Sequence, residues 1–196
     1  MQGRGGEAGR ATGAGDPARR LILVGGGARS GKSAYALARA RAAGTRRVYV
    51  ATAQAGDDEM RERIARHRAE RGADLETIEE PLDLAGALRR SATADVALVD
   101  CLTLWLANRL LGGEPPEAVL AALDEALAGP CARCTIVVTN EVGMGIVPEN
   151  ALARAFRDIA GRAHQRVAGA ADEVHVAILD TVLRLRPAPV VESPVP

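Results

Sequence analysis

Leu21-Ile22-Leu23-Val24-Gly25-Gly26-Gly27-Ala28-Arg29-Ser30-Gly31-Lys32-Ser33 is an apolar run that breaks into glycines, a lysine and a serine. The apolar residues predict a buried strand ending at Gly25. Gly26 to Ser33 fits G-x-x-x-x-G-K-[ST], a loop whose backbone N–H groups cradle phosphates at the start of a helix. Ser33 to Ala43, with six alanines, one leucine and no proline, supplies that helix, and Gly44 is placed to end it. Among 25 Lys+Arg, Lys32 alone is lysine. A compact ammonium able to sit between β- and γ-phosphates is not replaced by a planar guanidinium, so the exception falls where phosphate chemistry requires it.

Working outward, Arg47 to Thr52 has the β-branched content of a second buried strand. Asp95 to Asp100 predicts another, four apolar residues ending in a carboxylate. In that position Asp100 either faces the phosphates and holds Mg²⁺ together with the Ser33 hydroxyl, or simply starts the next helix. Asp57 to Arg71 reads as a charged amphipathic helix with acids in its first turn and Gly72 beyond its end. Met60, Ile64 and His67 share one face of it, so His67 points with the apolar anchors, as a packed histidine or as a chemical one.

Leu75 to Glu80 predicts a short strand, and Leu82 to Ser91, Leu102 to Leu111 and Glu117 to Ala128 predict helices. Thr135 to Thr139 is a further buried strand running into Asn140 to Asn150. That loop is either an ordinary connection or, at a strand's carboxyl end, part of a ligand site. Glu149 to Ala171 predicts a long helix with Leu152, Phe156, Ile159, Ala163 and Val167 toward the core and His164 on its exposed side with Arg154 and Arg157. Glu173 to Ile178 and Thr181 to Leu185 close the series. Strands alternating with helices give the fold class: α/β, a mostly parallel sheet flanked by helices, in a single P-loop NTPase domain of RecA-like type over residues 20–186.

Composition narrows the partners. Net charge is zero with 25 acids among the arginines and only 2% aromatic residues, so neither a basic stripe nor a stacking platform for nucleic acid stands out. No apolar run approaches the ~20 residues that cross a bilayer, and no apolar segment follows the basic start as a signal peptide requires, so no membrane is expected and a cytoplasmic address is. Residues 1–19, with six glycines and almost nothing apolar, are expected to form a disordered tail, and 187–196 a loose one. Cys131 and Cys134 form a C-x-x-C without a second pair, which reads as incidental thiols. A signalling GTPase would carry Asn-Lys-x-Asp, impossible with Lys32 as sole lysine. A mechanical ATPase, a regulatory nucleotide-binding protein and a kinase of a small hydroxyl compound stay open.

Gly26 to Ser33, Ala51-Thr52-Ala53, Asp57-Asp58-Glu59-Met60 leading to Arg63-Ile64-Ala65-Arg66-His67-Arg68, and above all Thr139-Asn140-Glu141-Val142-Gly143-Met144-Gly145-Ile146-Val147-Pro148-Glu149-Asn150 resemble the bifunctional adenosylcobinamide kinase/adenosylcobinamide-phosphate guanylyltransferase family, in family order across residues 20–186. The resemblance implies phosphorylation of adenosylcobinamide with ATP or GTP, then GMP transfer from GTP to adenosylcobinamide phosphate through a guanylylated histidine, here His67. It also implies nucleotide contacts at Gly26, Gly27, Ala28, Arg29, Ser30, Gly31, Lys32 and Ser33, at Ala51, Thr52 and Ala53, at Arg68, Ala69, Glu70 and Arg71, and at Glu79 and Asp100. A homotrimer is implied as well. The chain departs from the family at Leu75, where tryptophan is usual, and at Asp180-Thr181, where a Gly-x-Pro turn is usual. Both departures are expected to lie away from the phosphate loop. An imidazole flanked by Arg66, Arg68 and Arg71 suits attack on an α-phosphate whose charge the guanidinium groups neutralise.

Overall fold

The computed structural model describes residues 19–56, 58–188 and 190–192; the side chains of Glu59, Arg63, Glu70 and 190–192 lie outside that description. Outside it too are 1–18, 193–196 and Asp57, on which the expected amino-terminal tail, the chain end and the first helical acid fall. In chain order the elements are β1 (Arg20–Gly26), α1 (Lys32–Ala43), β2 (Arg47–Ala51), α2 (Asp58–Arg71), β3 (Glu76–Glu79), α3 (Leu84–Arg90), β4 (Val96–Asp100), α4 (Leu102–Leu111), α5 (Pro116–Ala128), β5 (Cys134–Asn140), α6 (Ala151–Ala170), β6 (Glu173–Ile178), β7 (Thr181–Arg186) and β8 (Val190–Glu192).

The strands make one sheet in the order β3-β2-β4-β5-β1-β6-β7-β8. β1 to β6 pair in parallel, while β7 runs antiparallel to β6 and β8 to β7. The expected mostly parallel sheet is therefore what forms, with one correction. Val190–Glu192 pairs with Val182–Arg184, so part of the carboxyl end expected to be loose adds an edge strand.

Alternation along the central strands divides the core into two layers, because successive side chains leave a strand on opposite faces. Leu23, Val48, Val50, Ala97, Val99 and Val137 pack with α3, α4, α5 and α6, where Trp105 is fully buried and donates Nε1–H to Leu82 O at 2.8 Å. On the other face Ile22, Val24, Tyr49, Val96, Leu98, Ile136 and Val138 pack against Tyr35, Ala36 and Ala40 of α1. Helix ends follow local chemistry: the Asn150 side chain accepts from Leu152 N and Ala153 N to start α6, Asp83 caps α3, and Pro116 opens α5. Leu152, expected in the core, is 56% exposed in the first turn of α6.

This topology creates the crevice. β1 feeds α1 on one face and its neighbour β5 feeds α6 on the other, so the chain parts between their carboxyl ends, where open α/β sheets hold ligands. Glu141 N donates to Gly26 O at 3.0 Å across the gap. At the opposite end of the sheet Asp95 Oδ2 accepts the N–H groups of Arg46 (2.9 Å) and Thr45 (3.1 Å), tying β4 to β2. Those N–H groups, Arg46 first, lower the Asp95 carboxyl to about 2. A depressed carboxyl contributes stability that is complete above its unfolded value and lost as pH falls through the folded one. The denaturation midpoint of the wild type should therefore exceed that of Asp95→Asn above about pH 4, with the gap closing toward pH 2. A gap independent of pH in denaturant titrations would contradict this assignment.

Candidate active site

At the carboxyl ends of β1, β2, β4 and β5 lies a cleft of about 500 Å³, lined among others by Ala28, Arg29, Ser30, Gly31, Lys32, Ser33, Tyr49, Ala51, Ala53, Met60, Ile64, Arg66, His67, Arg71, Asp100, Cys101 and Asn140. The lining carries Arg29, Lys32, Arg66 and Arg71 against Glu62 and Asp100, an excess of cations that suits a polyphosphate. A second depression of similar volume at the other end of the strands is lined by Arg46, Arg47 and Arg90. These are already paired with Asp95, Asp74 and Glu80, and Glu76 adds a carboxylate, so it offers no excess of cations.

The loop between β1 and α1 is built as its sequence predicts. Lys32 is 8% exposed and donates Nζ–H to Gly27 O at 3.1 Å, holding the ammonium under the loop. Ser30 Oγ is buried and has no hydrogen-bond partner among the described residues, as expected of a hydroxyl that completes its bonding on a ligand oxygen. Gly31 has φ +87°, and a Cβ there would stand 2.6 Å from Asp180 Oδ1. A Cβ on Gly26 would meet Ala177 O and Ser30 Oγ, both at 2.6 Å. Backbone conformation at Gly31 and the Ala177 carbonyl beside Gly26 thus require glycine. The Asp180 contact corrects the expectation that the Asp180-Thr181 departure lies away from the phosphate loop. Leu179 and Asp180, both at positive φ, form a two-residue hairpin turn between β6 and β7 that sets the Asp180 carboxylate against Gly31.

Asp100 closes β4 half-buried, and its Oδ2 accepts the Tyr49 hydroxyl at 2.8 Å. Burial, then the Asp100 charge, pushes the Tyr49 phenol far above its ordinary value and keeps it a donor. One strand, β5, separates the Asp100 strand from the loop strand, so its last residue, Asn140, reaches the cleft between them. Asn140 Nδ2 donates to Thr103 Oγ1 at 3.1 Å, fixing the amide to the first turn of α4.

α2 crosses the mouth of the cleft. Met60, Ile64 and His67 are half-buried along its inner side, as their spacing predicts, and no hydrogen bond to the His67 ring forms among the described residues. Arg71 anchors the helix end. It is 7% exposed, lies 4.0 Å over the Tyr49 ring, donates Nε–H to His67 O at 3.2 Å, and accepts from Arg41 Nη2 at its own carbonyl.

The residues assigned by resemblance thus divide. Ala28 to Ser33, Ala51, Ala53, His67, Arg71 and Asp100 meet in the cleft, with Gly26 and Gly27 forming the chain beneath the loop. Thr52 is fully buried, exchanging hydrogen bonds of 2.8 Å with Cys101 N and O, so its side chain braces the ends of β2 and β4. Arg68 pairs with Glu79 on the surface, Ala69 is exposed, and the Glu70 side chain lies outside the described residues. His164, expected on the exposed side of its helix, has a side chain only 16% exposed and meets Thr139 Oγ1 at 2.7 Å. Burial lowers its pKa against the opposing pull of Glu141. Sequence reasoning missed Tyr49 and Cys101 in the cleft, since each reads as an ordinary member of a strand or its edge.

Fold and cleft together define a P-loop nucleotide-binding protein with an acidic strand end and a histidine helix over the phosphate loop. Residues 22–185 match the model of the cobinamide kinase / cobinamide phosphate guanyltransferase family, and the chain belongs to that family. It is 47% identical over 178 residues to the bifunctional adenosylcobalamin biosynthesis protein CobP of Pseudomonas aeruginosa, covering 87% of this chain and 99% of that protein. It is 46% and 42% identical to the CobU proteins of Salmonella typhimurium and Escherichia coli, each over 173 residues, 81% of this chain and 95% of the relative. Among solved structures, the RadB recombinase matches over 88% of this chain and 84% of its own at 16% identity and a TM-score of 0.44. No helix among the described residues is long and apolar enough to cross a membrane.

Proposed function

We propose that both reactions of the family, the phosphorylation of adenosylcobinamide by ATP or GTP and the transfer of GMP from GTP to the resulting phosphate, run in this one cleft. The observation that carries the reading is that His67 lines the same cavity as Lys32, Ser33 and Asp100. In the first reaction the loop N–H groups and Lys32 hold the β- and γ-phosphates while the acceptor hydroxyl attacks the γ-phosphorus: the new O–P bond forms, the bond from that phosphorus to the β,γ-bridging oxygen breaks, the nucleoside diphosphate leaves and the hydroxyl proton passes to solvent. In the second, a His67 ring nitrogen attacks the α-phosphorus of GTP. The N–P bond forms, the bond from the α-phosphorus to the bridging oxygen breaks, and pyrophosphate leaves into the loop. A phosphate oxygen of the acceptor then attacks the same phosphorus and releases the imidazole.

Ser33 and Asp100 fit Mg²⁺. No group of three or more His, Cys, Asp or Glu forms among the described residues, so an all-protein cage is not built there. One hydroxyl and one carboxylate facing a triphosphate is the donor set of a cation shared with its nucleotide. Such an ion, when bound, neutralises charge on the phosphates. Arg71 and Arg66 lie on the His67 side of the cleft and are placed to offset charge at the α-phosphate.

The protein is further proposed to assemble as a homotrimer. Met144, Ile146 and Val147 are 84%, 96% and 63% exposed on the loop after β5, a concentration of apolar surface that a partner subunit would cover. Sedimentation should give three times the 20.4 kDa chain mass, and a fully active monomer would refute this.

GTP labelled at its α-phosphate should leave label on His67 that survives alkali and is lost in acid, as a phosphoramidate is. His67→Ala should abolish that label and lower guanylyl transfer by several orders of magnitude, roughly 10³-fold or more, while largely sparing the kinase step. Acid-labile label in His67→Ala would overturn the assignment.

A further inference from the structure

Tyr49 is 5% exposed in the middle of β2, where packing alone would be served by phenylalanine. Its hydroxyl must find a partner once buried, and the partner is Asp100 Oδ2 at 2.8 Å. The opposite requirement meets at its ring. Arg71 is a guanidinium more than nine-tenths buried, and its Nη1 has no hydrogen-bond partner among the described residues. Taking that charge out of water is costly unless something holds it. What holds it are the face of Tyr49, 4.0 Å from Cζ, and the carbonyl of His67. A continuous chain of contacts therefore runs from Asp100 through Tyr49 and Arg71 to the backbone of His67.

We infer that Tyr49 is a positioning residue for both halves of the site: its hydroxyl sets the Asp100 carboxylate for the divalent cation, and its ring holds Arg71 and with it the turn of α2 that carries His67. The two duties reside in different parts of one side chain, so substitution can separate them. A carboxylate with one oxygen tied to a phenol presents the other in a fixed direction, and outer contacts of this kind typically change metal affinity by 10–100-fold. A ring under a buried guanidinium limits where its Cζ can lie, and Arg71 Nε–H then fixes the last turn of the helix through the His67 carbonyl.

The inference rests on the roles given above to Asp100 and His67. It is tested by Mn²⁺ binding, read by electron paramagnetic resonance in the presence of a non-hydrolysable GTP analogue, alongside the rate of His67 labelling at saturating Mn²⁺. Tyr49→Phe keeps the ring and should weaken Mn²⁺ binding roughly tenfold. Tyr49→Leu should weaken Mn²⁺ to the same degree and label His67 roughly tenfold more slowly than Tyr49→Phe. Should the leucine variant fail to fold by thermal melting, Tyr49→Met takes its place, with the same two effects expected. Wild-type Mn²⁺ affinity in Tyr49→Phe overturns the inference. So does equal labelling in the phenylalanine variant and the variant that lacks the ring. A wild-type protein that takes no label at all refutes the nucleophile assignment instead, and the Mn²⁺ comparison still decides the role of the hydroxyl.

Discussion

Lys32 is 8% exposed, and an ammonium removed that far from water must be met by oxygen atoms. The loop supplies a carbonyl at Gly27, and the phosphates of a nucleotide are the proposed further partners. This requirement governs what surrounds the lysine. β1 must deliver the chain to one point between β5 and β6, glycine must occupy position 26 because the Ala177 carbonyl leaves no space for a side chain and position 31 because its φ is +87°, and α1 must begin at the lysine itself. The two-sided burial of β1 follows from the same demand, since a loop that binds charge with backbone N–H groups needs a rigid strand beneath it.

The second organising fact is that β5 stands between the loop strand and the Asp100 strand. It widens the floor of the cleft by one strand and places Asn140 between ammonium and carboxylate. α2 then spans this floor from the β2 side, with Arg71 as its buried anchor and His67 one turn earlier. In the proposed reading a chain so arranged addresses both ends of a bound triphosphate, the loop holding the far phosphates and the helix facing the near one. That division of labour would let one nucleotide site serve a kinase and a guanylyltransferase, two chemistries that differ in which phosphorus is attacked.

Much of this was legible in the sequence because the decisive signals are local. The phosphate loop, its helix, the acidic end of β4 and the inward placement of His67 each depend on residues within a turn or two of one another. What stayed hidden depends on pairs distant in the chain. Asp180 reads as a turn residue 149 positions beyond Gly31, and nothing in either neighbourhood announces their contact. Thr52 and Cys101 brace each other across 49 residues, so a position that matches a nucleotide-contact motif turns out to be fully buried. His164 carries helical spacing that points it outward, yet its ring meets Thr139 Oγ1 and is largely buried. Val190–Glu192 looked like tail composition until β7 presented an open edge for it to pair with.

One cleft is proposed to carry both reactions, and replacing the shared ammonium examines that directly. Lys32→Met keeps the length of the side chain and removes its charge. Measured side by side in that variant, with folding checked by thermal melting, the kinase step and the labelling of His67 by GTP should both fall by roughly 10²-fold or more. Labelling of His67 at the wild-type rate, with the kinase step lost, would show that the histidine draws on a second nucleotide site and would contradict the account.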